Sequence, residues 1–123
     1  MKYLLLVHHD ENAFSKMREI IRKEMLDESV HLTHRLHAKQ QYLSASPLQP
    51  ASTAVIVRVR EGKPLVTDGP FIETREQLAG YFLIKAKDLD EAVGIAWQVP
   101  GARIGSVEVR PLIEIAGLPT EEC

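Results

Sequence analysis

The chain has 123 residues, 45% of them hydrophobic and 26% charged, which suits one globular domain with its own core and argues against disorder. Fifteen basic and seventeen acidic residues give a net charge of -2, and the basic residues form no cluster. Because nucleic-acid binding depends on neutralising phosphates with a basic surface, we expect no direct contact with nucleic acid.

The single cysteine and the short N-terminal apolar run bear on the cellular compartment. Cys123 has no second thiol with which to form an internal disulfide, and we expect it to stand in a frayed tail. The apolar run 3–7 is too short for a signal-peptide core or a membrane span. We therefore expect a cytoplasmic protein without membrane contact.

The first third of the chain predicts a strand followed by helix. Residues 2–8 are apolar on both faces, as in a central strand. Apolar residues then recur at helical spacing from about 11 to 25. Asp27 predicts a fresh N-cap, and a helical face continues to about residue 40, so the segment is either one kinked helix or two consecutive helices.

The middle of the chain predicts a loop and a hairpin. Residues 44–53 contain two prolines and several serines, which is typical of a loop. Residues 54–60 predict a strand with three valines on one face and Ile56, Arg58 and Arg60 on the other, and 64–67 predict a short returning strand. Thr74 and Gln77 resemble a capping box that opens one helical turn.

The last third predicts strand, helix and strand. Residues 80–86 read as a strand and 106–115 as another. Between them Asp88 caps a helix that ends at a Pro-Gly pair. We predict that its apolar face is formed by Leu89, Ala92, Val93, Ala96 and Trp97.

The element order predicts one α+β domain over residues 1–123, with a ferredoxin-like βαββαβ fold that carries a hairpin insertion. Its antiparallel sheet has helices on one face only. Because the other face carries apolar side chains, we expect a homodimer.

A long motif suggests a family. Residues 67–84 read TDGPFIETREQLAGYFLI, which resembles the signature of the DGPF branch of the YCII-related family. Residues 57–60, 88–92 and 107–111 match that family in order and spacing. The resemblance implies a dimeric α+β barrel, in which two sheets face each other around a cavity. Related barrels include cofactor-free isomerases, monooxygenases and haem enzymes; we expect no cofactor here.

Two positions depart from the family pattern. Many relatives carry a histidine, suspected of pairing with an aspartate, where this chain has Ser29. Relatives usually have a helix-ending glycine where this chain has Gln40. The first departure argues against a conventional His–Asp dyad.

Two carboxylates are candidate catalytic groups. Asp68 either caps the turn made with Gly69 and Pro70 or acts as an acid or base at the cavity mouth, and both roles can hold together. Glu73 follows five residues later. If the two carboxylates share a site, the pKa of one rises and the pair divides into acid and base. A solvated loop glutamate is the favoured alternative for Glu73.

Arg58 and Arg60 are candidate ligands for an anion. If the valines of their strand pack beneath the helices, the arginines enter the inter-subunit cavity, where planar guanidinium groups suit a carboxylate or phosphate. In an edge strand they would only be solvated. We favour the cavity, with Tyr81 lining it and Arg110 adding to the same patch.

The histidines are weighed last. His8 and His9 end the first strand and must point to opposite sides of it, and we take His8 as a substrate-binding candidate together with Ser29. The helical histidines His31, His34 and His37 follow one another at intervals of three, and such a pair can hold a metal if a carboxylate or a third histidine completes the shell. Histidines on a solvated helix face are the favoured alternative, so we expect no metal.

These residues favour a small-molecule enzyme or binding protein. Asp68 would act as acid or base, Glu73 would tune it, and the two arginines would hold a small anionic substrate. Because some relatives occur with sigma factors, the resemblance also implies an alternative, a non-catalytic regulatory protein associated with a sigma factor in transcription.

Overall fold

The computed structural model describes residues 1–119, so Cys123 and its expected tail lie outside the described part of the chain. Six strands and three α-helices follow in the order β1 Lys2–His9, α1 Glu11–Ser15, α2 Glu19–Ala38, β2 Tyr42–Pro47, β3 Val55–Arg60, β4 Lys63–Asp68, β5 Gln77–Lys85, α3 Leu89–Ala96 and β6 Gly105–Pro111. Two short 3₁₀-helices cover Ala51–Thr53 and Pro100–Arg103. None of the described helices is long and apolar enough to cross a membrane.

The main sheet has four antiparallel strands in the order β2-β5-β1-β6. With α2 between β1 and β2, and α3 between β5 and β6, this order confirms the ferredoxin-like α+β fold. The hairpin β3–β4 forms a separate two-stranded sheet inserted between β2 and β5.

The core lies between the helices and one face of the sheet. Along β1, Tyr3, Leu5 and Val7 are buried, while Leu4 and Leu6 on the opposite face are only half-buried. The helices add buried side chains to the same core, namely Leu32, Leu36, Ala92, Ile95 and Ala96. Burying each of the larger side chains stabilises the fold by about 1.5–3 kcal/mol.

The second strand of the main sheet was predicted in the wrong place. It is Tyr42–Pro47, which overlaps the predicted loop 44–53 at residues 44–47. Ala45 pairs with Phe82 of β5 and packs on the core, while Ser44 and Ser46 lie on the other face. An edge strand tolerates serines and Pro47 because one side of its backbone needs no ladder partner.

The hairpin itself was predicted correctly, but not its packing. Val55, Val57 and Val59 are 60%, 63% and 62% exposed, so the expectation that they pack beneath the helices is wrong. The reason is topological, since β2 takes the edge position of the sheet and leaves the hairpin outside it.

Several helix boundaries also differ from the predictions. The helical segment is interrupted at residues 16–18, between α1 and α2. Asp27 lies inside α2 instead of capping a helix. Thr74 opens no helical turn; its hydroxyl donates to the carbonyl of Glu76, and β5 starts at Gln77.

Near the C-terminus one cap is confirmed and two packing predictions are wrong. Asp88 accepts a hydrogen bond from the Glu91 amide, as predicted. Trp97, expected on the buried face of α3, is 80% exposed. The last strand ends at Pro111, and the side chains expected to extend it, Ile113 and Ile115, are exposed.

Gln40 follows the end of α2 in the left-handed conformation, with a backbone φ of 60°. We predict that Gln40→Gly stabilises the protein by about 1 kcal/mol, because glycine adopts this left-handed conformation without strain. Lys39→Gly, at a φ of -95°, should destabilise it instead. Urea denaturation measures both variants, and equal effects would contradict the argument.

Candidate functional site

A cavity of about 310 Å³ lies between α2 and the core face of the sheet. Its helical wall includes Met25, Ser29 and Val30. The sheet contributes Ala45 and Phe82, and the segment 99–101 closes one side. Pockets of this size, mostly apolar with a few polar groups, are typical of small-molecule sites.

His9 is the most informative polar residue of the cavity wall. Side chains alternate along β1, so His9 faces α2 and the cavity, whereas His8 lies on the opposite face. The imidazole of His9 stacks on the ring of Phe14, with centroids 4.4 Å apart and planes 13° from parallel.

The environment of His9 favours its neutral form. Burial lowers the pKa of the His9 imidazole below its ordinary value of 6.5. The carboxylates of Glu11, Asp10 and Glu76 oppose this effect but do not outweigh it. Among residues 1–119 neither ring nitrogen has a hydrogen-bond partner within the protein, so both are available to a ligand.

The other hydroxyls of α2 at the cavity are already engaged. Ser29 donates to the Met25 carbonyl at 2.9 Å, and Thr33 donates to the Val30 carbonyl at 2.6 Å. Ser29 is thus placed in the cavity wall, but its hydroxyl proton is bound to its own helix.

A bidentate ion pair fixes the distance between α2 and the opposite wall. Both terminal nitrogens of Arg103 donate to the carboxylate of Glu28, at 2.8 and 2.9 Å, and these bonds lower the pKa of Glu28. Gly101 adjoins Val7 so closely that a Cβ would lie 2.4 Å from a valine methyl. A side chain at 101 would therefore push the wall away from β1.

Hydrogen bonds of residues 76 and 77, within the segment 67–84, surround the end of β1 that carries His9. The side chain of Gln77 accepts a hydrogen bond from the Glu11 amide, and the Glu11 carboxylate accepts one from the Ala51 amide. The Glu76 carboxylate accepts from the Ser106 hydroxyl, which links β5 to β6. These contacts join three chain segments around the end of β1.

The uncovered face of the sheet carries a separate polar row. His8 lies 3.8 Å from the Glu108 carboxylate, which also accepts a hydrogen bond from Arg110 at 2.5 Å. The hydroxyls of Tyr81 and Ser44 are 3.0 Å apart on the same face. Half-buried leucines, among them Leu4 and Leu6, lie between the two groups.

The remaining candidates lie on or beside the hairpin. The guanidinium carbon of Arg58 stands 5.6 Å from the centroid of the Phe71 ring, and Arg60 is exposed. Asp68 ends β4, and Glu73 lies in the following loop. In the described chain no hydrogen bond or ion pair joins these two carboxylates, and none of these residues lines the helix–sheet cavity.

The structure therefore divides the predicted site residues into three places. His8 lies with the uncovered sheet face. Tyr81 places its hydroxyl near Ser44 on that face and is also among the residues that line the cavity. Ser29 lines the cavity, and the hairpin region holds the two arginines and two carboxylates. Sequence reasoning passed over His9, although the alternation of β1 already placed it opposite His8.

A metal site and a second groove are the other possible places for a ligand. In the part of the chain that the structure describes, no group of three or more histidine, cysteine or acidic side chains is arranged to hold a metal ion. A groove between α2 and α3 is lined by Arg35, Lys39 and Glu91, and a 2.9 Å hydrogen bond from Gln41 to Glu91 crosses it. Its charged, solvated side chains make it the poorer ligand site.

The fold and the cavity define a ferredoxin-like α+β protein with a pocket beneath its long helix. The family model of the YCII-related domain matches residues 1–116. An uncharacterised protein of Rhizobium meliloti (strain 1021) is 36% identical over 121 residues, covering 91% of this chain and 92% of the relative. The chain belongs to the YCII-related family, as the motif at residues 67–84 predicted.

The lowered pKa of His9 predicts a pH effect on stability. Below about pH 6.5 the unfolded chain takes up a proton that the folded protein resists, so the folded state loses stability as the pH falls. We expect His9→Gln to lose less stability than the wild type between pH 7.5 and 5.5. Urea midpoints at both pH values measure this difference. His34→Gln, which removes an exposed histidine, is the control; an unchanged slope in His9→Gln would contradict the prediction.

Proposed function

We propose that the protein binds a small molecule in the cavity beneath α2 and that His9 contacts it. The observation that carries the proposal is an open cavity of about 310 Å³ with a half-buried imidazole in its wall. A well-packed interior leaves few voids larger than water, so a pocket of this size between helix and sheet gives room for a small molecule.

The chemistry that this site supports is acid–base chemistry. A neutral imidazole can accept a proton from a bound molecule and return it, without a cofactor. Burial keeps His9 in the accepting form, and its stacking on Phe14 fixes the ring plane. A site of this kind suits an isomerisation or a proton abstraction beside an electron-withdrawing group.

The predicted role of Asp68, with Glu73 and the two arginines, stays a separate prediction. These residues lie outside the cavity wall of their own chain. A role in the same reaction would therefore require a second subunit to bring its hairpin to the cavity.

The protein is further proposed to act as a homodimer. No described helix covers the face that carries Leu4, Leu6 and Leu83, and these side chains are half-buried. The apolar side of the hairpin is also exposed. An isolated two-stranded hairpin is at best marginally stable in water, which favours a partner surface for it.

A second candidate function is the regulatory one, in which the chain binds another protein. A stripe along α3 favours it, since Leu89, Val93 and Trp97 recur every fourth residue and are 52%, 39% and 80% exposed. Replacing Trp97 with a charged residue tests this candidate. Loss of binding to the partner protein, with cavity ligands still bound, would favour it over the first.

Filling the cavity tests the leading proposal. We expect Ser29→Phe to fold but to lose fragments that bind the wild type, because its ring occupies the space beneath α2. Ligand-observed NMR with a fragment library measures this loss. Glu24→Phe adds the same ring on the exposed side of α2 and should keep the fragments. Retention of all fragments by Ser29→Phe would refute cavity binding.

Sedimentation tests the homodimer. We expect the wild type to sediment at twice 13.8 kDa at micromolar concentration, and Leu6→Lys to sediment as a monomer, because a buried unpaired charge is costly at an interface. Ile20→Lys, which charges an exposed position on α2, should stay dimeric. A monomeric wild type would rule out the dimer.

A further inference from the structure

We propose that the occupant of the cavity is an aromatic carboxylate, or a similar flat molecule with one anionic group, and that Arg22 binds this group. The inference deepens the proposed function and rests on it. It replaces neither the prediction for Arg58 nor that for Arg60, which concern a different place in the fold.

The charge of the wall points to an anion. Among residues 1–119, Arg22 is the only formally charged residue that lines the cavity, and no carboxylate of this part of the chain lines it. A cationic ligand would be repelled, and a neutral one would leave the guanidinium at the wall without an ionic partner. A single anionic group supplies that partner.

Arg22 is free to bind it. Among residues 1–119 it takes part in no ion pair. Its one side-chain hydrogen bond within these residues is a long one of 3.4 Å, donated by Nη1 to the Ser15 carbonyl. A guanidinium has five N–H donors, so most of its donors remain available.

The rest of the wall suits a flat apolar body. Val30, Ala45 and Phe82 offer no hydrogen-bonding side-chain group, and Met25 offers only a weakly accepting thioether. The hydroxyls of α2 are engaged by their own helix. The parallel stack of His9 on Phe14 presents an edge of fixed orientation, against which a planar ring packs better than a branched chain.

Matched pairs of ligands test the inference. Benzoate, naphthoate and anthracene carboxylate are each titrated beside the corresponding primary carboxamide, which has the same shape without the charge. Calorimetry measures the dissociation constants. We expect the best carboxylate to bind the wild type about tenfold more tightly than its carboxamide, the effect of one charge-assisted pair.

The variants assign that preference to Arg22. Arg22→Gln should bind both members of the pair about equally, with the affinity of the carboxamide unchanged, whereas Arg22→Lys should keep part of the preference. Lys23→Gln removes an adjacent positive charge that does not line the cavity, and should keep all of it. Thermal unfolding confirms that each variant is folded.

The outcomes separate this inference from the proposed function. Equal binding of the pair to the wild type, no binding of any pair, or a preference that survives Arg22→Gln would overturn the inference. If the pair binds but Ser29→Phe does not weaken it, the ligands bind outside the cavity and the proposed function fails as well.

Discussion

Two helices cover one face of the sheet only. The alternation of side chains along β1 therefore decides which residues face the core and which face the uncovered side. Tyr3, Leu5 and Val7 face the helices and are buried, and the next residue with the same orientation is His9. His8 and the even-numbered leucines face the other way. A shift of register by one residue would exchange the two sets, so the buried leucine and valine also fix the direction of the histidines.

The family signature acts mainly as scaffold in this structure. Gln77 accepts a hydrogen bond from the Glu11 amide, and Glu76 accepts one from the Ser106 hydroxyl. The ring of Phe71 packs against Arg58. Gly69 donates to the Ala54 carbonyl at 2.8 Å, and a Cβ there would lie 2.9 Å from the Ala54 side chain. The segment therefore meets geometric demands of the fold, and ligand choice can reside in other positions.

The sequence was sufficient for the fold class, the hairpin and the cap at Asp88, because each depends on local pattern and on strand order. It failed at β2, where Ser44, Ser46 and Pro47 resemble a loop and only pairing with β5 makes a strand. It also failed for Trp97, because helical spacing identifies an apolar stripe without saying that Ala92 and Ala96 form the closer one. The cavity could not be predicted, since it is a gap between elements distant in sequence.

The two faces of the sheet give the proposed ligand and the proposed dimer separate surfaces joined by the same strands. Binding at either surface stabilises the folded chain, so each shifts the same unfolding equilibrium. The two stabilising effects are additive if the strands are rigid. They are coupled if binding at one surface changes the structure of the other. The pairing of β1 with β5 shifts register between Val7 and His8, next to the two histidines that face opposite sides of the sheet.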